Sequence, residues 1–172
     1  MMKEYNEAMF KTKVDNIFVK LYTSIMKGDL SDVSHFIGDA LQNHLEDKID
    51  NLSSQNKRQM YDEINVKDTR IISRCVDLDK EVVIVEIISR YMDYIIDKDT
   101  GDLISGDDSR RIEKRNILRF EKKLDAKEIG IVRMCKGCGA SISVNTSGRC
   151  LYCDRIYDQE DYDYVLVSID VN

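Results

Sequence analysis

Glu81-Val82-Val83-Ile84-Val85-Glu86-Ile87-Ile88-Ser89-Arg90-Tyr91-Met92-Asp93-Tyr94-Ile95-Ile96-Asp97 is the stretch on which the fold turns. It is dominated by β-branched and aromatic residues, the composition of a strand on a pleated, packed surface. Working outward, residues 64–78 also show a period of two and read as a preceding strand, with Leu78-Asp79-Lys80 as the tight turn between them. Downstream, Asp99-Thr100-Gly101-Asp102 and Ser105-Gly106-Asp107-Asp108 punctuate a loop. Arg110 to Lys123 then forms a third strand with Ile112, Leu118 and Phe120 on one face. Tyr164 to Val171 closes the chain with Val165, Val167, Ile169 and Val171 in alternation. Strands beyond about ten residues exceed the usual range, so bends or bulges should curl this sheet.

Upstream of the strands the period is helical. Val14, Ile17, Phe18, Leu21, Tyr22 and Ile25 make one apolar stripe between Asn6 and Lys27, and Gly28 fits a helix stop. Asp29 is placed to cap a second helix carrying Val33, Phe36, Ile37, Ala40, Leu41, Leu45, Ile49 and Leu52. Ser53-Ser54-Gln55-Asn56 interrupts it, and a short amphipathic piece is expected from Arg58 to Glu63. Helices first and strands after predict an α+β fold, with N-terminal helices packed on one face of an antiparallel sheet.

Bulk properties narrow the function. A chain of 172 residues that is 42% hydrophobic supports one ordinary core plus a small appendage. A net charge of −6 argues against nucleic-acid binding by the whole surface. The first residues lack the apolar core of a signal peptide, and the most apolar window, Val82–Ile88, is broken by Glu86 and too short to span a bilayer. A cytoplasmic location is expected.

The appendage is marked by cysteines. Cys135-Lys136-Gly137-Cys138 and Cys150-Leu151-Tyr152-Cys153 are two C-x-x-C pairs, separated by eleven residues. That spacing predicts a small β-ribbon around one tetrahedral structural zinc held by Cys135, Cys138, Cys150 and Cys153. Ser141-Ile142-Ser143-Val144 alternates, and Asn145 to Gly148 supplies turn residues, so a hairpin is expected between the two knuckles. Two disulfides or a thiol redox switch are the competing readings, although clustered thiols suit a reducing compartment. Four thiolates would fill the zinc shell and leave no open position for catalysis. The expected domains are helices plus sheet over 1–133, the zinc ribbon over 134–158, and a strand over 159–172 that returns to the sheet.

Few other residues stand out. His35 and His44 lie on the expected second helix without a ligand-like partner, and a surface or core-edge role is the simpler reading. Cys75, mid-strand, reads as a buried, inert thiol. The third strand carries seven basic residues, of which Arg111, Arg115 and Arg119 share one face. These three are either one side of cross-strand ion pairs or a basic patch for an anionic membrane, RNA or an acidic partner. The ribbon itself has only Lys136 and Arg149 as cations, which disfavours nucleic acid. No phosphate-binding loop, nucleophile elbow or metal-binding helix motif is present.

The ribbon Cys135-x-x-Cys138-Gly139-Ala140-x-Ile142-x-Val144-Asn145-x-Ser147-Gly148-x-Cys150-x-Tyr152-Cys153, followed by Asp163-Tyr164-Val165-Leu166, resembles bacterial Tim forty-four-like domain proteins with an inserted zinc ribbon. These are relatives of a scaffold subunit of the mitochondrial inner-membrane protein translocase. Met9 to Arg119 matches the family in pattern, while Lys136 and Asp154 replace a proline and a glycine frequent there. The resemblance implies a nuclear-transport-factor-two-like, cystatin-like fold, in which helices are cradled by a curved sheet around a hollow. It also implies a non-catalytic scaffold that docks a protein partner or an anionic membrane surface. The alternative is a small-molecule-binding or enzymatic domain that uses the hollow.

Overall fold

A computed structural model describes residues 6–124, 132–134, 141–143 and 164–171. Helix α1 spans Glu7–Lys27 and α2 spans Asp39–Ser54, with a single 3-10 turn at Ser34–Phe36 between them. Six strands follow: β1 Lys57–Asp77, β2 Lys80–Asp97, β3 Leu103–Lys123, β4 Val132–Met134, β5 Ser141–Ser143 and β6 Val165–Val171. The main sheet is antiparallel in the order β1-β2-β3-β6, and β4 pairs with β5 in a separate two-stranded ribbon.

Helix α1 begins and ends where its residues dictate. The Asn6 side chain accepts the Met9 amide, covering one of the unpaired N–H groups at the start. At the end, Gly28 adopts φ 74°; its amide donates to Ile25 and that of Asp29 to Ser24, the paired bonds of a Schellman stop. The whole expected stripe, from Val14 to Ile25, is buried. The hydroxyl of Thr69 donates to the Asp15 carboxylate, tying α1 to β1.

The second helix is shorter than the periodicity predicts. Asp29 does not cap it; its carboxylate accepts the Ser31 amide in a local turn. Val33 and Ile37 are buried as expected, but from outside the helix. Ile37 is extended and bridges to Leu166, and the Gly38 amide donates to the Leu166 carbonyl at 2.8 Å. Pairing with the last strand, far away in sequence, overrides the local helical signal.

Arg58 to Glu63 is likewise not an amphipathic helical piece but the beginning of β1, which starts at Lys57 rather than 64. Gln59 and Tyr61 are its buried alternating positions, and the Gln59 amide group donates to Asp93 at 2.7 Å and to the Tyr94 carbonyl at 3.1 Å. A buried glutamine paired across strands looks polar in sequence, which hid the period of two. Strand β3 also begins earlier than expected. The segment Ser105–Asp108 lies within it, opposite Asp93 to Ile95. Gly106 makes this possible. Its φ is 86°, and a Cβ there would overlap the Asp93 carbonyl and the Tyr94 backbone.

The long strands are bulged as expected. Register shifts fall at Asp62/Asn65, Val66/Asp68 and Ile71/Ser73 against β2, and at Tyr91/Asp93 and Ile95/Ile96 between β2 and β3. Each bulge bends the strand and raises its twist. On β2, Val83, Val85, Ile87, Ser89 and Tyr91 are all buried; on β3, Asn116, Leu118 and Phe120 are buried. Most of these residues join α1, α2 and the Leu30–Ile37 connection in one core cluster. Both helices therefore sit on one face of the sheet, in the α+β arrangement. No helix among the described residues is long and apolar enough to cross a membrane.

Candidate docking surface

The two faces of the sheet offer two different sites. The inner face, under the helices, is where a hollow was expected, and aromatic rings fill it. Tyr22, Tyr61 and Tyr91 meet with centroids 4.6 to 5.5 Å apart, Phe18 adds a contact to Tyr22 at 4.5 Å, and Phe10 stands edge-on to Phe120 and Tyr164. Asn116, fully buried, donates to the Tyr22 hydroxyl at 3.2 Å. Ser89 Oγ and Asn116 Oδ1 complete this interior without a hydrogen-bond partner among the described residues.

The chemistry of this interior is that of neutral phenols. Burial pushes the pKa values of Tyr22, Tyr61, Tyr91 and Tyr164 above the ordinary tyrosine value, so all four keep their protons near neutrality. Among the described residues the carboxyls whose pKa is displaced, Asp29, Glu86, Asp97, Asp107 and Glu113, are all lowered, mainly by hydrogen bonds to the ionised form. None of these displacements has the direction that makes a general acid at pH 7.

The outer face holds the three arginines singled out in the sequence. Arg111, Arg115 and Arg119 do share it, and each meets a carboxylate. Arg115 lies 3.4 Å from Glu86; Arg119 lies 3.1 Å from Glu121 and 3.8 Å from Asp77; Arg111 lies 3.8 Å from Glu63. Glu86, only 8% exposed, also takes Arg70 at 2.6 Å, and Glu113 bridges Lys67 at 2.7 Å and Arg90 at 3.7 Å. Between these charges the β2 positions Ile84 and Ile88 and the β3 position Ile117 are half-buried. The face is thus a lattice of alternating sign with an aliphatic seam, not a uniformly basic patch. The acidic halves come from β1, β2 and β3; apart from Arg119–Glu121 within β3, strand pairing brings these ion pairs together.

The remaining candidates separate. His35 sits in the 3-10 turn, edge-on to Phe36 at 6.4 Å, and not on the helix that carries the exposed His44. Cys75 is exposed rather than buried. It lies beyond the Ile71/Ser73 bulge, near the β1–β2 turn at Leu78, itself 92% exposed. Among the described residues no group of three or more His, Cys, Asp or Glu is placed to hold a metal. Cys135, Cys138, Cys150 and Cys153 lie outside the described residues. The described part of that region is the antiparallel pairing of Val132–Met134 with Ser141–Ser143. This hairpin brackets residues 135–140, which carry the first cysteine pair, whereas the sequence reading put a hairpin between the two pairs.

With two helices on one face of a four-stranded antiparallel sheet established, the family follows from a direct match. The model of the Tim44-like domain matches residues 1–130. The chain belongs to the Tim44-like domain family. The match ends before the cysteine region and covers both helices and β1 to β3 of this Tim44-like domain. The family points to a non-catalytic scaffold related to protein transport. No curated protein matches the chain.

Proposed function

We propose that this Tim44-like domain is a non-catalytic scaffold that docks a protein partner, in the service of protein transport, on the outer face of its sheet. The observation that carries this reading is the packing of the inner face. Where an enzyme or carrier of this layout would keep its substrate, the rings of Phe18, Tyr22, Tyr61 and Tyr91 occupy the space. The outer face is covered by no described helix, and it offers Ile84, Ile88 and Ile117 framed by charges of both signs. Such a surface suits a protein partner of complementary pattern better than a uniformly anionic bilayer, because every arginine there already faces a carboxylate. Site-specific photo-crosslinkers test this in cells. Probes at Ile84 and Ile117 should trap a discrete protein, and a probe at Lys48 on α2 should not. Equal trapping from both faces, or none from Ile84 and Ile117, overturns the assignment.

A structural zinc held by Cys135, Cys138, Cys150 and Cys153 completes the proposal. Its support is the two C-x-x-C pairs, together with the pairing of Val132–Met134 with Ser141–Ser143, the described strands nearest to them in sequence. Native mass spectrometry under reducing conditions should find one zinc per chain, and Cys138→Ser should lower metal content to near zero. Full zinc retention in that variant would exclude four-thiolate coordination.

A further inference from the structure

Both helices finish at the same end of the molecule. There they meet the start of β1 and the turn after β2 around a cleft of about 190 Å³. Its apolar lining comes from Ile25, Ile49 and Leu52. Lys27, Lys57, Arg58 and Lys98 also line it, with Asp50 as the only carboxylate among the lining residues. These cations come from the end of α1, the start of β1 and the turn after β2, so no charge run in the sequence marks the site. None of the four forms an ion pair with another described residue. Lys98 Nζ donates to Ser53 Oγ at 2.7 Å, which holds it over the last turn of α2.

Part of this charge has a structural use. A helix C-terminus carries about half a negative charge, and two such ends plus Asp50 offset about two of the four cations. Among the lining residues alone a positive surplus remains, on which Asp29 beside Lys27 and Asp97 and Asp99 beside Lys98 draw in part. An anion such as a phosphate monoester, with a charge of about −1.5 to −2 near neutrality, would meet the remainder. The surroundings have the opposite sign. The chain carries −6 overall, and Asp29, Asp97 and Asp99 adjoin lining residues in sequence. The four cations converge inside a concavity, a shape that a small anion can enter and a flat anionic bilayer cannot. The cleft is also smaller than the roughly 300–1,000 Å³ of drug-sized sites, leaving room for a phosphoryl group and a few further atoms. The Arg58 guanidinium suits two phosphate oxygens side by side, and the aliphatic residues suit the carbon part.

We propose that this cleft binds a small soluble phosphomonoester, separately from the docking face. The test titrates the full chain with glycerol 3-phosphate, followed by amide proton–nitrogen NMR, with acetate and with vesicles of anionic phospholipid as parallel arms. Saturable shifts should appear at Gly28, Ser53, Lys57 and Lys98 and weaken as salt is added. Lys57→Gln combined with Arg58→Gln should lower affinity by about tenfold or more, whereas Arg115→Gln on the outer face leaves it unchanged. The same spectra report whether each variant remains folded, and the wild-type shift map stands independently of the variants. No shifts at millimolar ligand, equal shifts with acetate, or a response to vesicles alone would each overturn the proposal. None of these results bears on crosslinking from Ile84 and Ile117, so the docking reading stands or falls separately.

Discussion

Individual residues show how partners change what a side chain does. Glu86 is held between Arg70 and Arg115, and the hydrogen bond from Arg70 is the main reason its carboxyl stays below the usual carboxylate range. A lowered folded-state pKa means the stabilisation is fully present above the unfolded value, about 4.3, and is lost as pH falls through the folded value. Glu86→Gln should therefore be less stable than wild type near neutrality, with the gap closing as the medium is acidified below about pH 4. Urea melts across that range measure it, and a gap independent of pH would show that the ion pairs are not its source. Tyr22 tests the interior. Tyr22→Phe leaves the buried amide of Asn116 without its acceptor, so a loss of about 1–3 kcal/mol is expected in denaturant unfolding. Exchanging Asn116 for leucine in the same chain should recover part of that loss, since the unsatisfied group is then gone.

Elements were legible in proportion to how local their causes are. Helix α1 has its stripe and its Gly28 stop within one stretch, and both read correctly, while its Asn6 cap emerges only in the structure. Gly28→Ala forces a Cβ into the left-handed region and should cost about 1–2 kcal/mol, seen as a lower melting temperature. Gly106 carries a second penalty, since a methyl group there meets the backbone of Asp93 and Tyr94. Gly106→Ala should therefore destabilise the fold more than Gly28→Ala, and the reverse order in parallel thermal melts would count against the bulged β2–β3 register. The elements that read wrongly had distant causes. Ile37 leaves the helix to meet Leu166, and Gln59 is buried because Asp93 and Tyr94 accept its amide. Strand β1, at one edge of the main sheet, is broken by three register shifts and carries charges of both signs. Both features discourage pairing of this edge with another chain, in keeping with the proposed docking on the sheet face.

At the scale of the whole molecule, the helices and main sheet have a core that involves no cysteine among its buried residues. Chelating the proposed zinc should accordingly leave the main cooperative unfolding transition in place, with changes confined to the cysteine region. Loss of that transition on metal removal, read by circular dichroism, would mean that the ribbon supports the core. The sequence by itself determined the α+β class, the face of α1 that is buried, the length of β2 and the need for bulges, because hydrophobic period and turn chemistry are local properties. It also nominated the four thiols and the three arginines. The tertiary structure alone decided that the inner face is filled by tyrosines from three separate elements and that each nominated arginine faces a carboxylate on the outer face. It alone decided that four cations from distant segments converge on one cleft. These outcomes depend on register and on contacts between residues far apart in the chain, and periodicity carries no information about which distant side chains will meet.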